Sequence, residues 1–156
     1  MVSLRGVNKS YGRGELRTQV LYDINLSFQA GTFSSIIGAS GSGKTTLLNI
    51  IGTMDRPDTG KVEIAGRRTG EMGRNELAAL RNSAIGFIFQ YHYLLPEFTA
   101  IENVLMPHLI MKGSVDDGAR KRAGELLELV GLAPVRDKLS SRISGGQQQR
   151  VAIARA

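Results

Sequence analysis

Between Val20 and Phe28 the apolar side chains Leu21, Ile24, Leu26 and Phe28 read as a strand, the last three at every second residue. Ala30 and Gly31 turn the chain into a second strand-like run, Phe33 to Ile37. The rhythm then changes: Leu47, Ile50 and Ile51 stand at i, i+3 and i+4, which predicts a short buried helix that Gly52 can end. Pro57 to Gly60 reads as a turn and Lys61 to Ala65 as an alternating strand. A short polar helix near Asn75 to Arg81 leads to another apolar strand, Ile85 to Phe89, which ends at Gln90.

The second half is helical by the same test. Thr99 to Met111 reads as a helix that Pro107 kinks or bounds. Ser114 with Asp117 has the spacing of a capping box for the next helix. In that helix Ala123, Leu126, Leu127 and Val130 form an apolar stripe, Lys121, Arg122, Glu125 and Glu128 face water, and Gly131 is the stop. A last helix starts at Ser144 and runs through Val151 to Ala154. Strands that alternate with helices predict an α/β domain.

Composition narrows this only a little. With 156 residues and 42% apolar side chains the chain is long enough to bury a core, and one domain over 1–156 accounts for it. Cysteine is absent, so there is no disulfide framework or thiolate metal site, and a reducing compartment is the simpler assumption. Met1 to Ala30 lacks the pattern of a signal peptide, and no apolar stretch reaches the ~18 residues of a membrane span. The net charge of +6 suits an anionic partner, but the excess is spread along the chain. Its densest spots, Arg67-Arg68 and Arg120 to Arg122, read as solvated faces, so no nucleic-acid partner is expected. His92 and His108 stand without a carboxylate or cysteine cluster and read as structural or surface residues.

Two stretches carry chemistry. Gly38-Ala39-Ser40-Gly41-Ser42-Gly43-Lys44-Thr45 matches G-x-x-x-x-G-K-[ST], placed between a predicted strand and a predicted helix. Glycines let the backbone approach a polyphosphate while N–H groups of the loop and the helix start point at it. Lys44 would neutralise the β and γ phosphates, and Thr45 would offer Mg²⁺ a hydroxyl, so the cofactors implied are ATP and Mg²⁺. The other stretch is Ile143-Ser144-Gly145-Gly146-Gln147. Ser144 and Gln147 could be a plain capping box, but that leaves the two glycines without a purpose. A glycine-flanked helix entrance is itself an anion site, which suggests that a second copy of the chain offers it to a nucleotide held by the first.

These residues, with Gln148-Gln149-Arg150-Val151-Ala152-Ile153-Ala154-Arg155-Ala156 after them, resemble the signature of the ATP-binding cassette (ABC) family. The resemblance implies a P-loop ATPase fold with a parallel core sheet, an antiparallel N-terminal β region and a helical signature subdomain over about 90–140. It implies that Tyr11 stacks on adenine and that Gly38 to Thr46, including Thr46 itself, hold the phosphates. Lys44 and Gln90 would serve catalysis, with Gln90 and Thr45 at Mg²⁺, while Ser144, Gly145, Gly146 and Gln147 act in trans across a homodimer. The stretch Gly86 to Val104 resembles the subgroup that powers lipoprotein release, with macrolide-export and cell-division ATPases close behind. Membership there implies integral membrane permease partners that meet His92, Tyr93 and Leu94 to Pro96, and a peripheral place on the cytoplasmic face of the bacterial inner membrane.

Family members also carry an apolar strand ending in an Mg²⁺-binding Asp (Walker B), a Glu beside it as general base, and a later His. No such run follows the phosphate loop in these 156 residues, and Val20-Leu21-Tyr22-Asp23 precedes it. The expectation is a chain truncated before that strand, which binds ATP without turning it over. Two rivals make different demands. A DNA-acting ABC ATPase would carry a long coiled coil or a zinc module between the two motifs, and a P-loop kinase or GTPase would have no use for Ile143 to Gln147.

Overall fold

In the first strand, β1 (Val2–Tyr11), the buried residues are Leu4, Val7 and Lys9, so the inward face switches from even to odd positions. A bulge allows the switch: pairing with β2 (Thr18–Phe28) is antiparallel, Val2 opposite Phe28 and Tyr11 opposite Thr18, and slips between Leu4 and Val7. The amide of Gly6, inside the slip, donates to Asn25 Oδ1 at 2.8 Å. β3 (Thr59–Ile64) pairs antiparallel with the other edge of β1, Leu4 opposite Val62, and β4 (Arg67–Arg68) closes the order β2-β1-β3-β4. This sheet is the antiparallel N-terminal β region expected from the family resemblance.

The computed structural model describes every residue from Met1 to Ala156. They form two compact units, 1–84 and 85–156. In the first, α1 (Lys44–Ile51) contacts β2 and β3 and buries Leu47 and Ile50, as the 3.6-residue rhythm predicted. The polar helix predicted over 75–81 is α2 (Arg74–Ala84), anchored by Leu77 and Leu80.

The second unit is built on α3 (Ala100–Lys112), α4 (Asp117–Leu129) and α5 (Gly145–Arg155). Ala100, Val104, Leu105, Ala123, Leu127, Leu132, Ile143, Val151 and Ala154 form its core. Thr99 caps α3 in a full capping box with Glu102, and Pro107 sits inside the helix. Asn103, 1% exposed, receives the Leu95 N–H at 2.8 Å and donates to the Leu95, Phe98 and Thr99 carbonyls, so one buried amide shapes the turn before α3. The cap of α4 corrects an expectation. Asp116 accepts the Ala119 N–H at 2.7 Å, in place of Ser114, because its oxygen lies three residues from that donor, the reach of an N-cap.

The predicted strands 33–37 and 85–89 lack ladders, so the parallel pairing expected of the core sheet is not formed. A strand is stable only when neighbours accept and donate its backbone bonds, and neither run has one. Phe33 and Ile37 are accordingly 98% and 91% exposed. No helix is long and apolar enough to cross a membrane.

Candidate functional site

The phosphate loop is set by the backbone of Gly43, which caps α1 at φ +86°. A side chain there would be strained, and a Cβ would stand 3.0 Å from Leu21 Cδ2 and 3.1 Å from the Val20 carbonyl oxygen. The loop therefore passes close over β2 before entering the helix. Lys44 folds back across it: Nζ donates to the carbonyls of Gly38 at 2.9 Å and Ala39 at 2.5 Å, and to Ser42 Oγ at 3.4 Å. The ammonium thus sits at the mouth of the loop, where a phosphate would trade these weak partners for a charged one. A cavity of about 340 Å³ opens here, lined by Val20, Ser40, Gly41, Gly43, Lys44, Thr45 and Thr46. The first-turn amides of α1 have no intrahelical partners, as at any helix start.

At the end of β1, Tyr11 is 43% exposed and its hydroxyl donates to Asp55 Oδ2 at 2.8 Å. Lys9, two residues earlier on the same strand face and 8% exposed, donates to Asp55 Oδ1 at 2.8 Å and to the Arg56 carbonyl at 2.7 Å. Its Nζ also lies over the Tyr11 ring, 5.1 Å from the centroid. Burial alone would raise the Asp55 carboxyl. Hydrogen bonds from Lys9, Tyr11 and the Arg56 amide outweigh burial and hold it below the usual carboxylate value. The Tyr11 phenol is pushed up, first by burial and then by its bond to Asp55.

In the second unit, Gln90 is exposed and follows a short aromatic stack, Phe87 on Phe89 at 5.5 Å and Phe89 edge-on to Tyr93 at 5.3 Å. Arg155 Nη2 and Nη1 donate to the His92 and Tyr93 carbonyls at 2.8 and 2.9 Å, which ties α5 to this segment. At the other end of α5, Ser144 accepts the Gln147 N–H at 3.3 Å and Gln147 Oε1 accepts the Ser144 N–H at 2.9 Å, so the capping box is formed. Gly145 and Gly146 are exposed, neither has a positive φ, and a Cβ on either would meet nothing within 4 Å. Nothing inside this chain requires glycine there.

A family model described as ABC transporter matches residues 21–156. The chain belongs to the ABC transporter family. Curated ABC relatives include the lipoprotein-releasing system ATP-binding protein LolD 1 of Rhodopseudomonas palustris, 52% identical over all of this chain and 70% of that protein. The corresponding LolD of Anaeromyxobacter dehalogenans is 46% identical over 99% of the chain and 65% of its own length. Among solved structures, the cassette MJ0796 in a dimeric post-hydrolysis state bound to ADP and Pi superposes with a TM-score of 0.90 at 45% identity, covering 99% of this chain and 68% of that one. A second dimeric structure of MJ0796, described as a bacterial ABC transporter cassette, gives the same values.

Within this ABC cassette, the structure gathers Tyr11 and Gly38 to Thr46 in the first unit and places Gln90 and Ser144 to Gln147 in the second. Sequence reasoning missed Lys9 and Asp55. The only signal available for Lys9 was its spacing, two residues before Tyr11, which puts both on one strand face once β1 is known. Asp55 carried none, because its partner is 44 residues away.

Proposed function

We propose that this chain is the ATP-binding part of an ABC transporter motor subunit, and that the whole protein hydrolyses ATP to drive release of lipoproteins from the inner membrane. The names of the two LolD relatives support that cargo. In this reading ATP lies with its phosphates at Gly38 to Thr46 and its base on Tyr11. Lys44 leaves the Gly38 and Ala39 carbonyls for the β and γ phosphates. The donor set suits Mg²⁺, a hard cation that takes oxygen ligands, with Thr45 offering its hydroxyl from the first turn of α1. Bound Mg²⁺ would neutralise charge on the phosphate oxygens during transfer to water. Gln90 is the proposed sensor of that centre.

Two subunits would pair around two nucleotides, with Ser144, Gly146 and Gln147 of one closing on the γ phosphate held by the other. The observation that supports this is that Gly145 and Gly146 are exposed, with open space where a Cβ would stand, so nothing within the chain explains glycine at this helix start. Nucleotide-dependent closing and opening would then move a permease on the cytoplasmic face, through the surface from Tyr91 to Pro107. The test is lipoprotein release and ATP turnover by the complete transporter carrying Ser144→Arg. Loss of both, with ATP binding retained, is expected; normal turnover would refute the pairing.

A further inference from the structure

We infer that Asp55 and Lys9 form a positioning device for the nucleobase: they clamp the Tyr11 ring in one orientation before ATP arrives. The inference rests on the reading of Tyr11 as the base platform and adds residues to which that reading assigns nothing. Tyr11 stands at the end of a strand and is partly exposed, a place where an aromatic side chain would normally sample several rotamers. Here its two free torsions are restrained at both ends of the ring. The hydroxyl is held by Asp55 Oδ2 at 2.8 Å, and one ring face is covered by the Lys9 ammonium at 5.1 Å from the centroid. A base must therefore stack on the opposite face.

The clamp is itself fixed. Lys9 is satisfied by Asp55 and by the Arg56 carbonyl, and it comes from the same strand as Tyr11. The Met54 and Asp55 amides donate to the Asn49 carbonyl at 2.8 and 3.2 Å, and Asp58 pairs with β1 through the Ser10 and Asn8 backbone. Asp55 lies just beyond α1, the helix whose first residue is Lys44. Eight residues of helix, about 12 Å, thus join the phosphate cradle to the anchor of the base platform, which sets the distance between the two ends of the nucleotide site.

Ring order established beforehand lowers the entropy lost on binding, so the clamp acts on the base and leaves the phosphates alone. The experiment is calorimetric titration of the full chain with ATP and, separately, with inorganic tripolyphosphate. Tyr11→Phe keeps the ring and the Lys9–Asp55 pair but cuts the tether, and roughly three- to tenfold weaker ATP binding with tripolyphosphate unchanged is expected. Asp55→Asn should weaken ATP in the same selective way. Tyr11→Ala separates the two ideas. If it weakens ATP while Tyr11→Phe and Asp55→Asn bind it normally, the platform stands and the clamp is overturned; if Tyr11→Ala also binds ATP normally, the platform itself fails and the clamp with it. Equal loss for ATP and tripolyphosphate would mean general damage to the fold and would also overturn it.

Discussion

Arg155 grips the carbonyl of Tyr93 at 2.9 Å from the last residue of α5, and its second terminal nitrogen takes the carbonyl of His92 at 2.8 Å. The helix that begins at Ser144 therefore ends on the segment that follows Gln90. Cutting both bonds in Arg155→Ala removes two charge-assisted contacts, each contributing about 1.5–3 kcal/mol in favourable settings. The expected outcome is local: amide hydrogen exchange at 91–95 speeds up about tenfold or more, while the Leu127 and Leu132 amides in the core keep their protection. Unchanged exchange at 91–95 would show that the segment is held by its aromatic contacts instead.

Helix positions could be read from the sequence because their causes are local. The stripe at Leu47 and Ile50 and the stripe at Ala123 and Leu127 each lie within a dozen residues and are buried in α1 and α4. The proposed phosphate loop is as local a pattern, and its glycine-rich turn leads directly into α1. What escaped was non-local. β1 hid because its bulge breaks the alternation at Gly6, and a reading by period sees no strand where the inward face changes parity. The runs 33–37 and 85–89 have strand composition, but composition cannot supply partners, and without them the backbone forms no ladder. Asp55 is the same lesson at the site, since its meaning comes only from Tyr11 and Lys9 across the fold.

The capping box of α3 makes the second unit sensitive to acid. The Thr99 backbone N–H, then its hydroxyl, donates to Glu102 Oε2, each at 2.8 Å, and these bonds lower the Glu102 pKa below its ordinary value. A carboxyl depressed in the folded state binds fewer protons there than in the unfolded chain. Its stabilisation is complete above the unfolded pKa of about 4.3 and is lost as pH falls towards the lower folded value. Thermal melts from pH 7 downward should fall more steeply for the unsubstituted chain than for Glu102→Gln. Parallel curves would remove Glu102 from the account, leaving the depressed Asp55 carboxyl of the first unit, whose effect has the same sign.

Gly60 makes the closest backbone approach in the sheet. Its φ is +94°, and a Cβ would lie 2.4 Å from the carbonyl oxygen of Gly6, in the bulge of β1. That neighbour is backbone and cannot swing aside. Gly60→Ala should therefore cost at least about 2 kcal/mol in urea unfolding. Gly66 is the control: its φ of +78° is strained for alanine, but a Cβ there meets nothing, so Gly66→Ala should cost only about 1 kcal/mol. Equal costs would mean that the bulge shifts freely, and that β1 is held less tightly between β2 and β3 than its pairing implies.

Gly146 separates what the fold needs from what pairing needs. It lies in the first turn of α5, exposed and with open space where a Cβ would stand, and glycine is a poorer helix former than alanine. Gly146→Ala should leave this chain as stable as before or firmer by about 0.5 kcal/mol, measured by thermal melting. If the Gly145 and Gly146 amides meet a γ phosphate on a facing subunit, the added methyl group enters that interface, and ATP turnover by the complete transporter should drop even as the melting temperature holds or rises. A residue whose replacement improves the fold and harms the activity is held by something outside its own chain. Should turnover instead follow stability upward, the glycines would be tolerated rather than required, and Ser144 with Gln147 would be no more than the helix cap they form.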